Sequence, residues 1–232
     1  MEVDILKIKP FLIVIYCSII YLIIISVSYS SPNSSERSVI YHIMTRLHCE
    51  KEDAVKFISI VESFINEIQD NITTIASNNN IENNDKQYLI NYTINRYFLS
   101  TSSQVQVSSI YRNIIRSYRI DTYLNRLSNL SKTKYTRVQL LFAPNYLALG
   151  NIESYTDNEL GQAYEFNVKM WQIFRAYFGD SIAYEDATLK SYSLVFYKKT
   201  DRWDLKVKNI AAKETVTLDE LEQRIEKRWR LE

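Results

Sequence analysis

Apolar residues change their spacing several times along this chain, and each change marks an element. From Phe11 to Val27 they run almost unbroken as FLIVIYCSIIYLIIISV, with polar serines from Ser28 onward. Residues 11–30 match the roughly 20 residues a helix needs to cross about 30 Å of hydrocarbon, so they predict a transmembrane helix. Lys7 and Lys9 precede the run and Arg37 is the first base beyond it. The positive-inside rule therefore puts a short segment 1–10 in the cytoplasm and the bulk of the chain outside. The competing reading is a signal peptide cut after Ser30, since Ser28 and Ser30 are small residues at the −3 and −1 positions.

Beyond the polar Ser30–Arg37 stretch the spacing becomes helical. Asp53 is placed to cap a helix in which Phe57, Ile58, Val61, Phe64, Ile65 and Ile68 share one face, opposite Lys56, Glu62, Asn66 and Asp70. Ser77–Asp85 (SNNNIENND) reads as a loop, which closes a helical linker region over 31–86. Helical spacing continues from Gln87 to Leu130, through Leu89, Tyr92 and Tyr97 and then Val107, Ile110, Ile114 and Tyr118. This predicts two helices separated at Ser100–Ser103 and ending near Ser128–Lys134.

The period then falls to two. Val138, Leu140 and Phe142 alternate with Arg137, Gln139 and Leu141; Pro144-Asn145 turns that strand, and Gly150 and Gly161 bracket a loop. Phe166, Val168 and Met170 begin a second strand, ended by turn chemistry at Gly179-Asp180-Ser181. Lys190–Lys198, through Tyr192, Leu194 and Phe196, is a third. Trp203, Leu205 and Val207, alternating with Asp204, Lys206 and Lys208, is a fourth. Consecutive strands with one wet face predict a curved antiparallel sheet whose other face is covered by helices, an α+β domain over 87–212.

The tail, 213–232, predicts an amphipathic helix. Thr217-Leu218-Asp219-Glu220 has capping-box spacing, and Leu218, Leu221, Ile225 and Trp229 form a thin apolar stripe. Such a stripe either packs back on the domain or docks another subunit, which makes these four the candidate partner-binding residues.

Composition narrows the function. Apolar residues are 46% and charged residues 24%, ordinary for a folded protein, and the formal net charge of +1 lacks the basic excess expected of a nucleic-acid binder. Three glycines and three prolines, none between Asn33 and Ala143, favour helices over many short strands there. The 18 tyrosines suit core and sheet positions with a wet hydroxyl, or a binding surface. Cys17 and Cys49 make no disulfide framework and read as two unpaired thiols.

Candidate chemistry is thin. His42 and His48, six apart in a helical segment, fall on different sides and do not make a metal-ligand face. Glu185-Asp186 and Asp201 read as solvated turn charges. No G-x-S-x-G elbow, phosphate loop or G-x-G-x-x-G occurs. Sequons stand at Asn33, Asn71, Asn91 and Asn129, a number that chance supplies in a chain rich in Asn, Ser and Thr. The expectation is a protein without catalytic residues, cofactor or metal.

Tyr177-Phe178-Gly179-Asp180-Ser181, the strand Lys190-Ser191-Tyr192-Ser193-Leu194-Val195-Phe196, and Trp203 with Leu205 carry a resemblance to the TraE family of conjugative type IV secretion systems. The likeness is best over Val168–Leu205 and looser over Gln87–Asn209. It implies an NTF2-like fold and a non-enzymatic, single-pass inner-membrane protein with its bulk in the periplasm. Such a protein self-associates and contacts other subunits of the secretion machine, and it holds membrane lipid through residues 11–30. The segment 38–75 and the tail after Ala212 are longer than that family's pattern, and its Asn-Pro-x-Gly loop is missing before Trp203. Two further readings stand beside it: an accessory subunit of another large membrane complex, and a secreted NTF2-like module whose bent sheet forms a pocket for a small ligand. An NTF2-like enzyme would use inward His, Asp or Tyr groups, of which this chain is well supplied only with Tyr.

Overall fold

Three strands of 18, 19 and 15 residues set the architecture. In the computed structural model, which describes residues 34–77, 82–142, 148–199 and 202–229, they are β6 (Gly161–Phe178), β7 (Ser181–Lys199) and β8 (Arg202–Val216). Strands this long cannot stay flat, because each carries a right-handed twist. Bulges break the register near Ala176/Tyr177, Leu189/Lys190 and Ser193/Leu194, and a bulge bends its strand and steepens the local twist. Gly179, at φ +61°, makes the β6–β7 turn in the left-handed region that its missing Cβ permits.

The remaining strands are β1 (Gln104–Ser109), β2 (Arg112–Arg119), β3 (Arg137–Phe142), β4 (Ala148–Leu149) and β5 (Glu153–Asp157). The eight strands form one open, curved sheet in the order β2-β1-β8-β7-β6-β3, with β4 and β5 also paired to β6. All pairings are antiparallel except β1 with β8. The sheet is therefore mixed rather than antiparallel throughout, and larger than the four strands that the spacing predicts.

The helices are α1 (Ser34–Leu47), α2 (Lys51–Ser77), α3 (Asn83–Tyr97), α4 (Ile120–Thr133) and α5 (Leu218–Trp229). The chain divides between Lys51 and Glu52 into two compact units. In the first, α1 ends on His48 at φ 50°, and the Cys49 amide reaches back to the Met44 carbonyl, the Schellman arrangement with His in the place usually taken by Gly.

In the second unit the side-chain alternation of the long strands sorts two cores. Even-numbered residues of β6 and β7 face the helices: Phe166 and Phe196 meet Phe57 of α2 at 5.3 and 5.2 Å between ring centroids. Gln69 of α2 donates to the Met170 sulfur, and Phe64 stacks edge-on to Tyr97 of α3. Odd-numbered residues face away, where Trp171 and Ala187 pack with Val216 and Leu221 under α5. Helices on the concave face of a bent sheet are the arrangement expected of an NTF2-like fold.

Several sequence expectations change. Helix α2, expected within a helical linker region over 31–86, packs on the sheet through Phe57 and Gln69. It begins before Asp53, which sits in its first turn and pairs with Lys56 rather than capping it. The helix expected through Val107, Ile110, Ile114 and Tyr118 is instead the β1–β2 hairpin. Gln-Val-Gln-Val at 104–107 alternates with period two, and β1 borrows β8 as a parallel neighbour, a pairing invisible to local spacing. The loop expected between Gly150 and Gly161 contains β5, paired to β6. The apolar run 11–30, the Pro144-Asn145 turn and Asp201 lie outside the described residues, among which no helix is long and apolar enough to cross a membrane.

Candidate functional site

The same parity that buries Phe166 and Phe196 carries polar groups further along the sheet toward the helices. On β6 and β7 the cross-strand pairs Gln172–Thr188 and Phe174–Asp186 lie side by side, followed by Met170–Lys190. Gln172, Asp186, Thr188 and Lys190 are all buried, at 7, 3, 5 and 5% exposure. Four buried polar side chains in one patch require partners or a purpose, since an unsatisfied buried polar group costs about 1–3 kcal/mol.

They form the floor of a cavity of about 400 Å³. Helix α4 supplies one wall through Tyr123, Leu127 and Leu130, spaced by three and four so that they share a face. The β1–β2 hairpin supplies the other through Val107, Ile114 and Tyr118. Side-chain contacts add to the β1–β8 pairing in holding that hairpin on the sheet. Lys190 Nζ donates to the Gln106 carbonyl at 2.6 Å, the Ala212 amide donates to Gln106 Oε1 at 3.2 Å, and the Tyr111 ring packs at a tilt against Tyr184 with centroids 5.6 Å apart.

Within the floor, Tyr184 donates to the Asp186 carboxylate and is itself 2.7 Å from Ser109 Oγ. With the tyrosine proton committed to Asp186, the serine is the donor in that second contact. Burial raises the Asp186 carboxyl above its ordinary range and outweighs the lowering by the Tyr184 hydrogen bond and the Lys190 charge. Burial also lowers the Lys190 ammonium to about 8, an effect that the charge of Asp186 partly offsets. It lifts Tyr123, which bonds Gln172, to about 12. It raises Tyr192, which bonds Gln69, as well. Asp186, Lys190 and Tyr123 thus share a confined space with raised or lowered proton affinities, a frequent mark of a functional site.

The rim is basic. Arg112, Arg116, Arg126 and Lys134 line the mouth, and Asp186 is the single acid in the lining. Arg126 is held by stacking over the Tyr118 ring at 4.7 Å, and Lys134 lies over Tyr135 at 4.9 Å.

Asp186 corrects the sequence reading of Glu185-Asp186 as solvated turn charges. The two carboxylates do point to opposite faces, as strand geometry requires. Glu185 pairs with Arg175 while Asp186 enters the cavity. The β6–β7 turn lies at 179–180, five residues earlier than solvated turn charges would need. His42 and His48 do not line the cavity. Among the described residues no three His, Cys, Asp or Glu side chains group to hold a metal ion.

The tail stripe lies on the far face of the sheet. The capping box forms in both directions, Thr217 N–H to Glu220 at 3.0 Å and Glu220 N–H to Thr217 Oγ1 at 3.2 Å. Leu221 is 1% exposed against Trp171, Ala187 and Val216, with Leu218 and Ile225 packed beside it. Leu218, Leu221 and Ile225 thereby cover the outer face of their own sheet, while the side chain of Trp229 lies outside what is described. The cavity was missed because its members come from α4, the hairpin and two strands. Only the even-numbered polar run Asp186, Thr188, Lys190, in phase with buried Tyr192 and Leu194, signals it in the sequence.

No family model and no curated protein matches the chain. Among solved structures, it is similar to a protein from Novosphingobium aromaticivorans DSM 12444 assigned as a scytalone dehydratase, at 11% identity and TM-score 0.38, covering 72% of this chain and 91% of that one. Bd1075 of Bdellovibrio bacteriovorus matches at 13% identity and TM-score 0.41, over 71% of this chain and 44% of that one. Kfla4162 of Kribbella flavida matches at 11% identity and TM-score 0.35, over 66% and 91%. Likenesses this remote place the chain in no family and carry no activity across.

Proposed function

We propose that this chain is an NTF2-like small-molecule-binding protein whose ligand enters the cavity between α4, the β1–β2 hairpin and the concave face of the sheet. The carrying observation is the floor of buried Gln172, Asp186, Thr188 and Lys190 beneath apolar walls. Mostly apolar lining with a few convergent polar groups is what orients a small ligand, and about 400 Å³ falls in the usual range for one. Binding without chemistry is the better-supported form of this reading. Asp186, the lining's one carboxylate, already accepts from Tyr184, and neither histidine lines the cavity to act as a general base. Native mass spectrometry of the full chain tests it. A retained small-molecule adduct is expected, lost when Leu130→Trp fills the cavity mouth. A wild-type chain that carries no adduct, and takes up no member of a panel of small apolar and amphipathic compounds, would refute it.

A second reading has its own support. Ile114 and Ile115 on the hairpin and Phe178 and Ile182 at the β6–β7 turn are exposed at 63, 52, 71 and 52%, apolar side chains that a partner would cover. With the apolar run 11–30 as an anchor, these residues suit a TraE-like scaffold, single-pass in an inner membrane and self-associating through its periplasmic domain. Phe178→Glu with Ile182→Glu would then dissociate the detergent-solubilised oligomer in sedimentation, and an unchanged mass would count against it.

A further inference from the structure

The cavity's charge is at odds with the rest of the chain. The whole sequence carries a formal net charge of +1, yet the lining holds Arg112, Arg116, Arg126, Lys134 and Lys190 against Asp186 alone. Composition therefore does not supply the excess; the fold gathers it. Among the described residues none of these five bases is in an ion pair. Lys190 donates to a neutral carbonyl, that of Gln106, and the nearby charge of Asp186 only partly offsets the burial of its ammonium. Burying an incompletely compensated cation is costly, and an anionic ligand would reduce that cost.

Resting on the proposed small-molecule reading, we infer that the ligand is a free amphipathic monoanion, an apolar body bearing one carboxylate-like head, whose head is held by Lys190 below and by the arginines of the mouth. The geometry fits the parts in order. Apolar Val107, Ile114, Leu127 and Leu130 take the body. Lys190, 5% exposed, is a compact charge at the floor, while Arg112 and Arg116 on β2 present planar forks that match a carboxylate. Focusing by low-dielectric walls of one sign raises the local concentration of an anion before it binds. Asp186 does not reverse this, because it is one acid against five bases. A head borne by a lipid offers the same chemistry. The buried position of Lys190 favours a molecule that can enter whole.

Calorimetric titration of the full chain in phosphatidylcholine nanodiscs, with 2-naphthoate and the neutral isostere 2-naphthamide, tests the inference. The acid should bind at least tenfold more tightly. Lys190→Met should erase most of that preference. Arg112→Gln with Arg116→Gln, both on the exposed strand β2, should lower acid affinity severalfold and flatten its salt dependence, a readout that does not rely on the buried substitution folding well. Equal affinity of the wild type for acid and amide would overturn the anion assignment and leave the cavity reading intact. Binding of neither compound would count against the cavity reading itself. Loss of naphthoate binding when phosphatidylglycerol replaces part of the phosphatidylcholine would give the site to a lipid headgroup and overturn the free-acid assignment.

Discussion

Replacing Lys190 with Met should make the protein more stable, which is the reverse of what deleting a hydrogen-bonded side chain usually does. Lys190 is 5% exposed, and burial lowers its ammonium from 10.5 to about 8. Each pH unit between folded and unfolded values is about 1.36 kcal/mol, so carrying that charge at pH 7 costs the folded state about 3 kcal/mol. Removing the side chain relieves that cost but deprives the Gln106 carbonyl of its donor, a loss of about 1 kcal/mol. The net expectation is a gain of about 2 kcal/mol at pH 7. The sign of the pH dependence follows from the folded value being the lower one. Between pH 8 and 10.5 the unfolded chain binds more protons than the folded chain, so wild-type stability rises with pH through that window. By pH 9.5 the rise should reach about 2 kcal/mol, and Lys190→Met should lack it. Tyr97, Tyr123 and Tyr197, raised to about 12, act in the opposite direction but only above their unfolded value near 10, so measurements stop at pH 9.5. Urea unfolding followed by tryptophan fluorescence at pH 7, 8 and 9.5 reads both effects. A variant that loses stability at pH 7, or keeps the wild-type rise, would refute the argument that this charge is held in an incompletely compensated site.

The other expectations are simpler. Leu221→Ala empties the cluster under α5, where Leu221 is 1% exposed, and should cost about 3 kcal/mol in the same unfolding assay, whereas exposed Glu222→Ala should cost almost nothing. Thr217→Ala removes half of the capping box and should cost about 1 kcal/mol; combined with Glu220→Ala the losses should fall short of additive, since each side chain supports the other. Gly179→Ala meets no atom within 4 Å but must adopt φ +61°, so a loss of about 1 kcal/mol would report backbone strain rather than a clash. An unchanged unfolding midpoint would mean that the turn rearranges.

What the sequence determined is what neighbouring residues can state by themselves. The alternation at Phe166, Val168 and Met170, at Tyr192, Leu194 and Phe196, and at Leu205 and Val207 marks strands because burial on one face of a pleat has period two. The three- and four-residue spacing from Phe57 to Ile68 marks α2, and Thr217-x-x-Glu220 marks the start of α5, since both signals are completed within a few residues. Tertiary structure decided everything that depends on who the neighbour is. The hairpin at 104–119 has apolar residues at helical spacing, and it became sheet because β8, about a hundred residues later, offered β1 an open edge. Asp186 and Lys190 look like surface charges in the chain and are buried because β6, β7, α4 and the hairpin close around them. Whether the stripe of Leu218, Leu221 and Ile225 met another protein or its own domain turned on Trp171 and Ala187 waiting on the outer face of the sheet. A charge's environment is a property of the space around it, and that space is made by residues far away along the chain.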